Sequence, residues 1–259
     1  MSSKKRPSLP LIAALSALNA CGAAQTASVQ RFAIHIDHLD PALASSFVEA
    51  RAQWVGVLRQ NHATDLRGIL IDAGDRFYTL HPFRDYAYLD TLGARRRAAI
   101  ASIAPERRAT YDRNADAALV APHHNELWVM EPDLSRVRDT QSLVDARGVI
   151  VFEVLRPGPC ESEYERRHTE LIAGLPADTS RITFSSTYGS GAVISLWLQP
   201  DLGPSGIGAL ECSLTRDACV AMTEFAGRCV VSREVLPARI RSELHSPGFD
   251  ESTLRPQHH

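Results

Sequence analysis

The stretch 32-FAIHIDHLDP-41 alternates apolar and ionisable side chains and then stops at a proline. Alternation with period two marks a β-strand with two unlike faces. Phe32, Ile34 and Ile36 fall on one face, Ala33, His35 and Asp37 on the other. A related run, 149-VIVFEVLR-156, returns later in the chain. Each run leads into a proline-containing turn, with Pro41 in the first and Pro157 and Pro159 in the second. Helical spacing follows both: Leu43, Phe47, Trp54 and Leu58, then Tyr164, Leu171 and Leu175. A hairpin closes each unit. Its strands are 66-LRGILID-72 and 76-RFYTLHPF-83 in one case, 181-RITFSST-187 and 192-AVISLWLQ-199 in the other, with turns at Gly74 and at Gly189 and Gly191.

These features recur in the same order at an offset of about 116 to 118 residues, which makes the match more than a chance βαββ pattern. Both copies then run into helix. The first has 85-DYAYLDTLGARRRAAIASIA-104, a break at Pro105, a second helix to about Ala118 and a last strand in 125-NELWVMEPDLS-135. The second has 216-RDACVAMTEFAG-227 and a last strand beginning at Cys229. Each half therefore reads βαββαβ, and the fold class is α+β with two tandem ferredoxin-like modules. The expected boundaries are a first module over 31–135, a polar joint over 136–147, a second module over 148–246 and an unstructured tail over 247–259.

The paired units, with the aromatic hairpin strand 75-DRFYTLHPF-83 as an example, resemble the dimeric α/β-barrel superfamily, including its NIPSNAP-type and antibiotic-biosynthesis-monooxygenase-type modules. The resemblance implies two four-stranded sheets packed face to face around a cavity, here both from one chain, with helices outside. The superfamily holds oxygenases, isomerases and haem-handling proteins, so a shared fold does not name a function.

Under that arrangement the bulky face of the first strand is expected to meet the helices, and the mixed face of His35 and Asp37 to line the space between the sheets. Glu153 then stands near the place of His35 in the second copy. His81, in the face Phe77, Thr79 and His81, corresponds to Trp197, in the face Val193, Ser195 and Trp197. With Trp128 these residues form the expected lining for a small, partly apolar ligand: His35, Asp37, His81, Trp128, Glu153 and Trp197. Any acid–base chemistry falls to His35 with Asp37, since a carboxylate can orient an imidazole. His35 and His38 cannot share a metal, because positions three apart on a strand face opposite ways. The strand ends could instead bring His38, His123, His124 and Glu126 together as a secondary metal set. Haem, with His35 or His81 as axial ligand, is a further secondary reading, and the leading expectation is no cofactor. No G-x-S-x-G elbow, P-loop, H-E-x-x-H or post-strand G-x-G-x-x-G occurs.

Lys4, Lys5 and Arg6 precede the apolar run 9-LPLIAALSAL-18, and Cys21 follows. A basic start, a short apolar core and a small-residue exit describe a secretory signal. Leu18-Asn19-Ala20-Cys21 resembles a bacterial lipobox, which implies lipidation at Cys21, and Gly22 after it implies the outer membrane; plain secretion to the periplasm is the alternative. Residues 22–30 read as a tether. After export four cysteines remain, Cys160, Cys212, Cys219 and Cys229. An even number in an oxidising compartment predicts two disulfides, with three pairings open. A net charge of −2 over 259 residues gives no ground for nucleic acid. Arg95, Arg96 and Arg97 read as a solvated helix face. Besides a ligand-binding lipoprotein, the sequence leaves two alternatives: an interaction protein docking another envelope protein, and a cofactor-free oxygenase or isomerase.

Overall fold

In the computed structural model of the chain, residues 30–63, 66–101, 103–138, 143–212 and 216–256 are described. The signal, the lipobox Cys21 and nearly all of the tether lie outside them. Eight strands form one closed antiparallel barrel, and six α-helices accompany them among the described residues. The strands are β1 (Arg31–His38), β2 (Ile69–Asp72), β3 (Arg76–Phe83), β4 (His124–Met130), β5 (Arg147–Leu155), β6 (Ser180–Tyr188), β7 (Val193–Leu198) and β8 (Val230–Ile240). The helices are α1 (Ala44–Gln60), α2 (Tyr86–Ala101), α3 (Pro105–Asp116), α4 (Pro159–Ala173), α5 (Ile207–Glu211) and α6 (Arg216–Cys229).

The order around the barrel is β1-β3-β2-β8-β5-β7-β6-β4, closing back to β1. Ile34 faces Leu80 across β1 and β3, and Ile150 faces Leu196 across β5 and β7. Both residues of the second pair lie 116 positions after those of the first, so the two halves are built on one register. Chain punctuation follows local chemistry. Pro105 and Pro159 start α3 and α4, where a missing N–H costs nothing. Gly74 turns the β2–β3 hairpin at φ 85°, a conformation glycine adopts without a Cβ penalty.

The barrel interior reverses the expected use of the β1 faces. Phe32, Ile34 and Ile36 point inward and join Trp128, Phe184, Ile194 and their neighbours in one buried cluster. Phe32 and Phe184 meet edge to face at 5.5 Å, and Trp128 lies 5.6 Å from Phe184. Here side chains fill the eight-stranded interior, so the bulkier set goes in. His35 and Asp37 consequently face outward, beneath the helices. Alternation separates two faces correctly but does not say which of them a closed barrel encloses.

The chain outside the expected modules is also packed. Leu143 is fully buried, and Arg136 donates to the carbonyls of Ile172 and Leu175. After Pro247, a 3-10 turn over Glu251–Leu254 sets Leu254 fully buried in the barrel cluster. Gln30 ties that turn down by donating to the Thr253 and Arg255 carbonyls.

Candidate functional site

A cavity of about 440 Å³ lies between the outer face of β1, β3 and β4 and the helices α1, α2 and α3. Its helical wall is mostly apolar and aromatic, with Arg51 of α1 and Asp112 and Asp116 of α3 also on it. Phe47, Trp54 and Leu58 come from α1, Leu89 and Leu92 from α2, and Tyr111 from α3. Trp54 stacks on Tyr111 at 4.7 Å, joining α1 to α3. The sheet wall is polar: His35 and Asp37 from β1, Thr79 and His81 from β3, Asn125 from β4, and His123 just before it. An apolar wall facing a few convergent polar groups is the usual build of a small-molecule site.

The polar groups are arranged in pairs. His35 Nε2 lies 3.2 Å from Asp37 Oδ1, while its Nδ1 lies 3.1 Å from Asn125 Oδ1. Asp37 is 6% exposed. The His35 and His123 rings are 4.5 Å apart. His81 Nδ1 meets the Arg67 carbonyl at 3.0 Å. Arg51 reaches down from α1, and its Nη2 approaches Thr79 Oγ1 at 3.4 Å. The Arg51 Nε is buried and has no hydrogen-bond partner.

Of the six expected lining residues, the structure brings three together: His35, Asp37 and His81. Trp128 lies inside the barrel and donates its indole N–H to Glu126 at 2.7 Å. Glu153 and Trp197 lie on the outer face of the second half, under α4 and α6. They do not share the cavity, because the space expected between two sheets is the filled barrel interior. The second half holds a packed polar cluster instead. Arg181 is fully buried, donates to Tyr164 Oη and Ser195 Oγ and sits 4.8 Å over Trp197. Glu153 lies 3.5 Å from Arg233, which also pairs with Glu211 at 2.6 Å. Burial raises the Glu153 carboxyl above the ordinary carboxylate range, against the pull of Arg233. Burial also holds His168 well below the usual imidazole range, with Arg181 adding to the effect.

Of the expected set of His38, His123, His124 and Glu126, His38, His124 and Glu126 stay near one another, with His124 Nε2 4.0 Å from Glu126 Oε1, and His123 does not join them. His38 and His124 stack at 5.2 Å on the inward-facing side of the barrel rim, and burial, then His124, lowers the His38 pKa. Glu126 is taken up by Trp128, Ser186 and Ser190. Gly189, at φ 129°, passes so close that an added Cβ would lie 2.5 Å from Glu126 Cγ. His123 turns to the outer side, beside His35. Arg51 and Asn125 carried no sequence signal: one looks like any charged helix residue, the other like a strand-end polar residue. The four downstream cysteines form two disulfides, Cys160–Cys229 and Cys212–Cys219.

No protein-family model matches the chain, and no curated protein sequence does. Among solved structures it is similar to one from Lactobacillus acidophilus provisionally described as a monooxygenase, with TM-score 0.48 and 10% identity, covering 85% of this chain and 97% of that one. A second, from Fusobacterium nucleatum and described in the same way, gives 0.49 and 7%, covering 82% and 93%. An anthrone oxidase-like protein gives 0.49 and 11%, covering 82% and 91%. At these values the likeness is one of chain course, and the functional reading rests on the side chains of the cavity itself.

Proposed function

We propose that the chain is an exported bacterial envelope lipoprotein, anchored through Cys21, that binds a small, partly apolar molecule carrying a hydrogen-bond acceptor or an anionic group. Its two half-barrels are a duplicated ferredoxin-like unit of the dimeric α/β-barrel kind. The binding site is the cavity between the first half's outer sheet face and α1 to α3. The observation that carries this reading is Arg51. A buried guanidinium N–H without an acceptor costs roughly 1–3 kcal/mol, and the Arg51 side chain that carries it lines the cavity of about 440 Å³. A bound carboxylate, enolate or carbonyl oxygen would pair with the Arg51 guanidinium, while Trp54, Leu89 and Tyr111 would hold the apolar body. Two disulfides support an oxidising compartment. Among the described residues no helix is long and apolar enough to cross a membrane, so attachment would fall to the lipid.

Native mass spectrometry of the chain exported to a bacterial periplasm tests the reading. An extra bound mass is expected in the wild type, and Arg51→Met should lose it while melting at the wild-type temperature. A clean wild-type mass, or equal retention by Arg51→Met, overturns the proposal. The His35–Asp37 contact favours a second reading, in which the same cavity is catalytic. His35, oriented by its neighbours, would take a proton from the bound molecule, as in a cofactor-free oxygenase or isomerase. Turnover of the identified ligand that disappears in His35→Gln supports it, and unchanged turnover rules it out.

A further inference from the structure

We infer that His35, Asp37 and His123 form a binding site for a first-row divalent transition-metal cation at the polar end of the cavity. One candidate ligand atom from each lies within 4.8 Å of the other two, and all three residues line the cavity. The inference shares the cavity with the proposed function and relies on it only for the open coordination positions.

The hydrogen bonding of His35 is the first argument. Its Nδ1 lies against the Asn125 side-chain oxygen, which can only accept. A proton on Nδ1 suits that contact, and in the neutral ring it leaves Nε2 to present a lone pair. That lone pair points at Asp37 Oδ1, 3.2 Å away. Two acceptors facing each other in a site where Asp37 is 6% exposed repel unless something positive lies between them. A proton would suffice for this pair alone, but a cation also uses the third donor, His123, whose ring stands 4.5 Å from that of His35. An imidazole that donates one N–H to a side-chain oxygen and offers its other nitrogen is the common arrangement of a metal-bound histidine.

Distances agree. Donors at about 2.0–2.2 Å from a cation stand roughly 3–3.5 Å from one another, and His35 and Asp37 already do. His123 is exposed and lies in the short connection between α3 and β4, with a ring nitrogen within 4.8 Å of the other two candidate ligand atoms. Two imidazoles and one carboxylate suit zinc, iron, cobalt, nickel or copper; magnesium and calcium prefer oxygen ligands throughout. Three protein ligands on one side leave further positions for water or for the bound molecule, and these open into the cavity. The site reads as a metal centre that a ligand oxygen could join, with Arg51 as the ligand's second anchor.

Cobalt(II) titration of the chelator-treated full chain, with both disulfides formed, tests this through visible d–d absorption and calorimetry. Binding of one cobalt per chain is expected. Asp37→Asn and His123→Ala should each weaken it at least tenfold, and Asn125→Ala should weaken it by about ten- to a hundredfold. His38→Ala and His124→Ala, on the inward side of the rim, should bind as the wild type does. His123 is exposed, so its variant stays informative even where His35→Ala fails to fold. No stoichiometric binding, or equal loss in the His38 and His124 variants, overturns the inference. Failure here with the small-molecule mass retained leaves the proposed function standing. Cobalt binding with a clean native mass would do the reverse.

Discussion

Replacing Cys160 and Cys229 by alanine is expected to cost the folded chain about 4 kcal/mol, against about 2 kcal/mol for the Cys212 and Cys219 pair. The difference comes from loop length. The first disulfide joins residues 69 apart in sequence and the second joins residues 7 apart. In the chain-entropy account, the unfolded ensemble regains freedom with the logarithm of that length, which gives about 4.4 and 2.4 kcal/mol at 25 °C. Native packing acts in the same direction. Cys229 is fully buried and Cys160 nearly so, both in a cluster with Tyr164, Leu171 and Phe225, whereas Cys212 is half-buried. The long bridge ties the start of α4 to the point where α6 runs into β8. Urea titration followed by tryptophan fluorescence reads the outcome. With a slope of about 3 kcal/mol/M, the midpoint should fall by about 1.5 M for the first double variant and about 0.8 M for the second. Equal shifts, or a larger one for the short loop, would refute the loop-closure reasoning and place the stabilisation in native-state contacts.

Acid should weaken the fold through His245, whose burial lowers its pKa from 6.5 to about 4. Below about pH 6.5 the unfolded chain takes up a proton that the folded chain refuses, so stability falls as pH drops from about 6.5 to about 4, by roughly 3 kcal/mol in all. Melting temperatures against pH should be flatter over that window in His245→Gln, and an unchanged slope would put the effect elsewhere. Gly148→Ala should cost about 3 kcal/mol or more, since its Cβ would meet the Trp197 carbonyl oxygen at 1.8 Å inside the β5–β7 pairing. Gly56→Ala in α1, with nothing within 4 Å of the new Cβ, should gain up to about 1 kcal/mol; chemical denaturation of the two side by side is the check. His81→Trp should fill the cavity and remove the retained small-molecule mass while leaving the melting temperature within a few degrees. Retention of the mass would place the ligand elsewhere.

Element order was legible because each signal was local. The 32–38 alternation, the helical spacing of Phe47, Trp54 and Leu58, the prolines at 105 and 159, and the hairpin glycines all act within a few residues. The dyad of His35 and Asp37 was legible for the same reason, since two residues on one strand face must be neighbours. What the sequence did not reveal depended on how distant pieces meet. Which β1 face turns inward is set by barrel closure, and a strand pattern carries no record of closure. His123 was read toward His38 and His124 because antiparallel pairing of the first and last strands brings their ends together, yet its ring turns to His35. Arg51 matters only because no acceptor reaches its Nε, a fact about every other side chain around it. The cysteine pairing was open for a related reason: Cys160 and Cys229 meet only after α4 and α6 pack on the second half's sheet.

The two halves show why a cavity exists on one side. Register equates Thr79 with Ser195, His81 with Trp197 and Asp37 with Glu153, each 116 residues on. The helices after β1 and β5 contribute Phe47 and Arg51 in one case, Tyr164 and His168 in the other. In the second half these positions close on one another. Tyr164 and His168 stack at 3.7 Å, Arg181 fills the space over Trp197, and Glu153 finds Arg233. In the first half the indole is replaced by the smaller His81, and the position beside it across the hairpin is Gly68 rather than a buried arginine. The first half therefore leaves about 440 Å³ unfilled beside Arg51. Packing density alone would favour filling such a space, because an unfilled cavity forfeits contacts. The filled half shows that the register permits a closed arrangement. An open one carrying a histidine–aspartate pair is therefore better explained by an occupant than by a failure to pack.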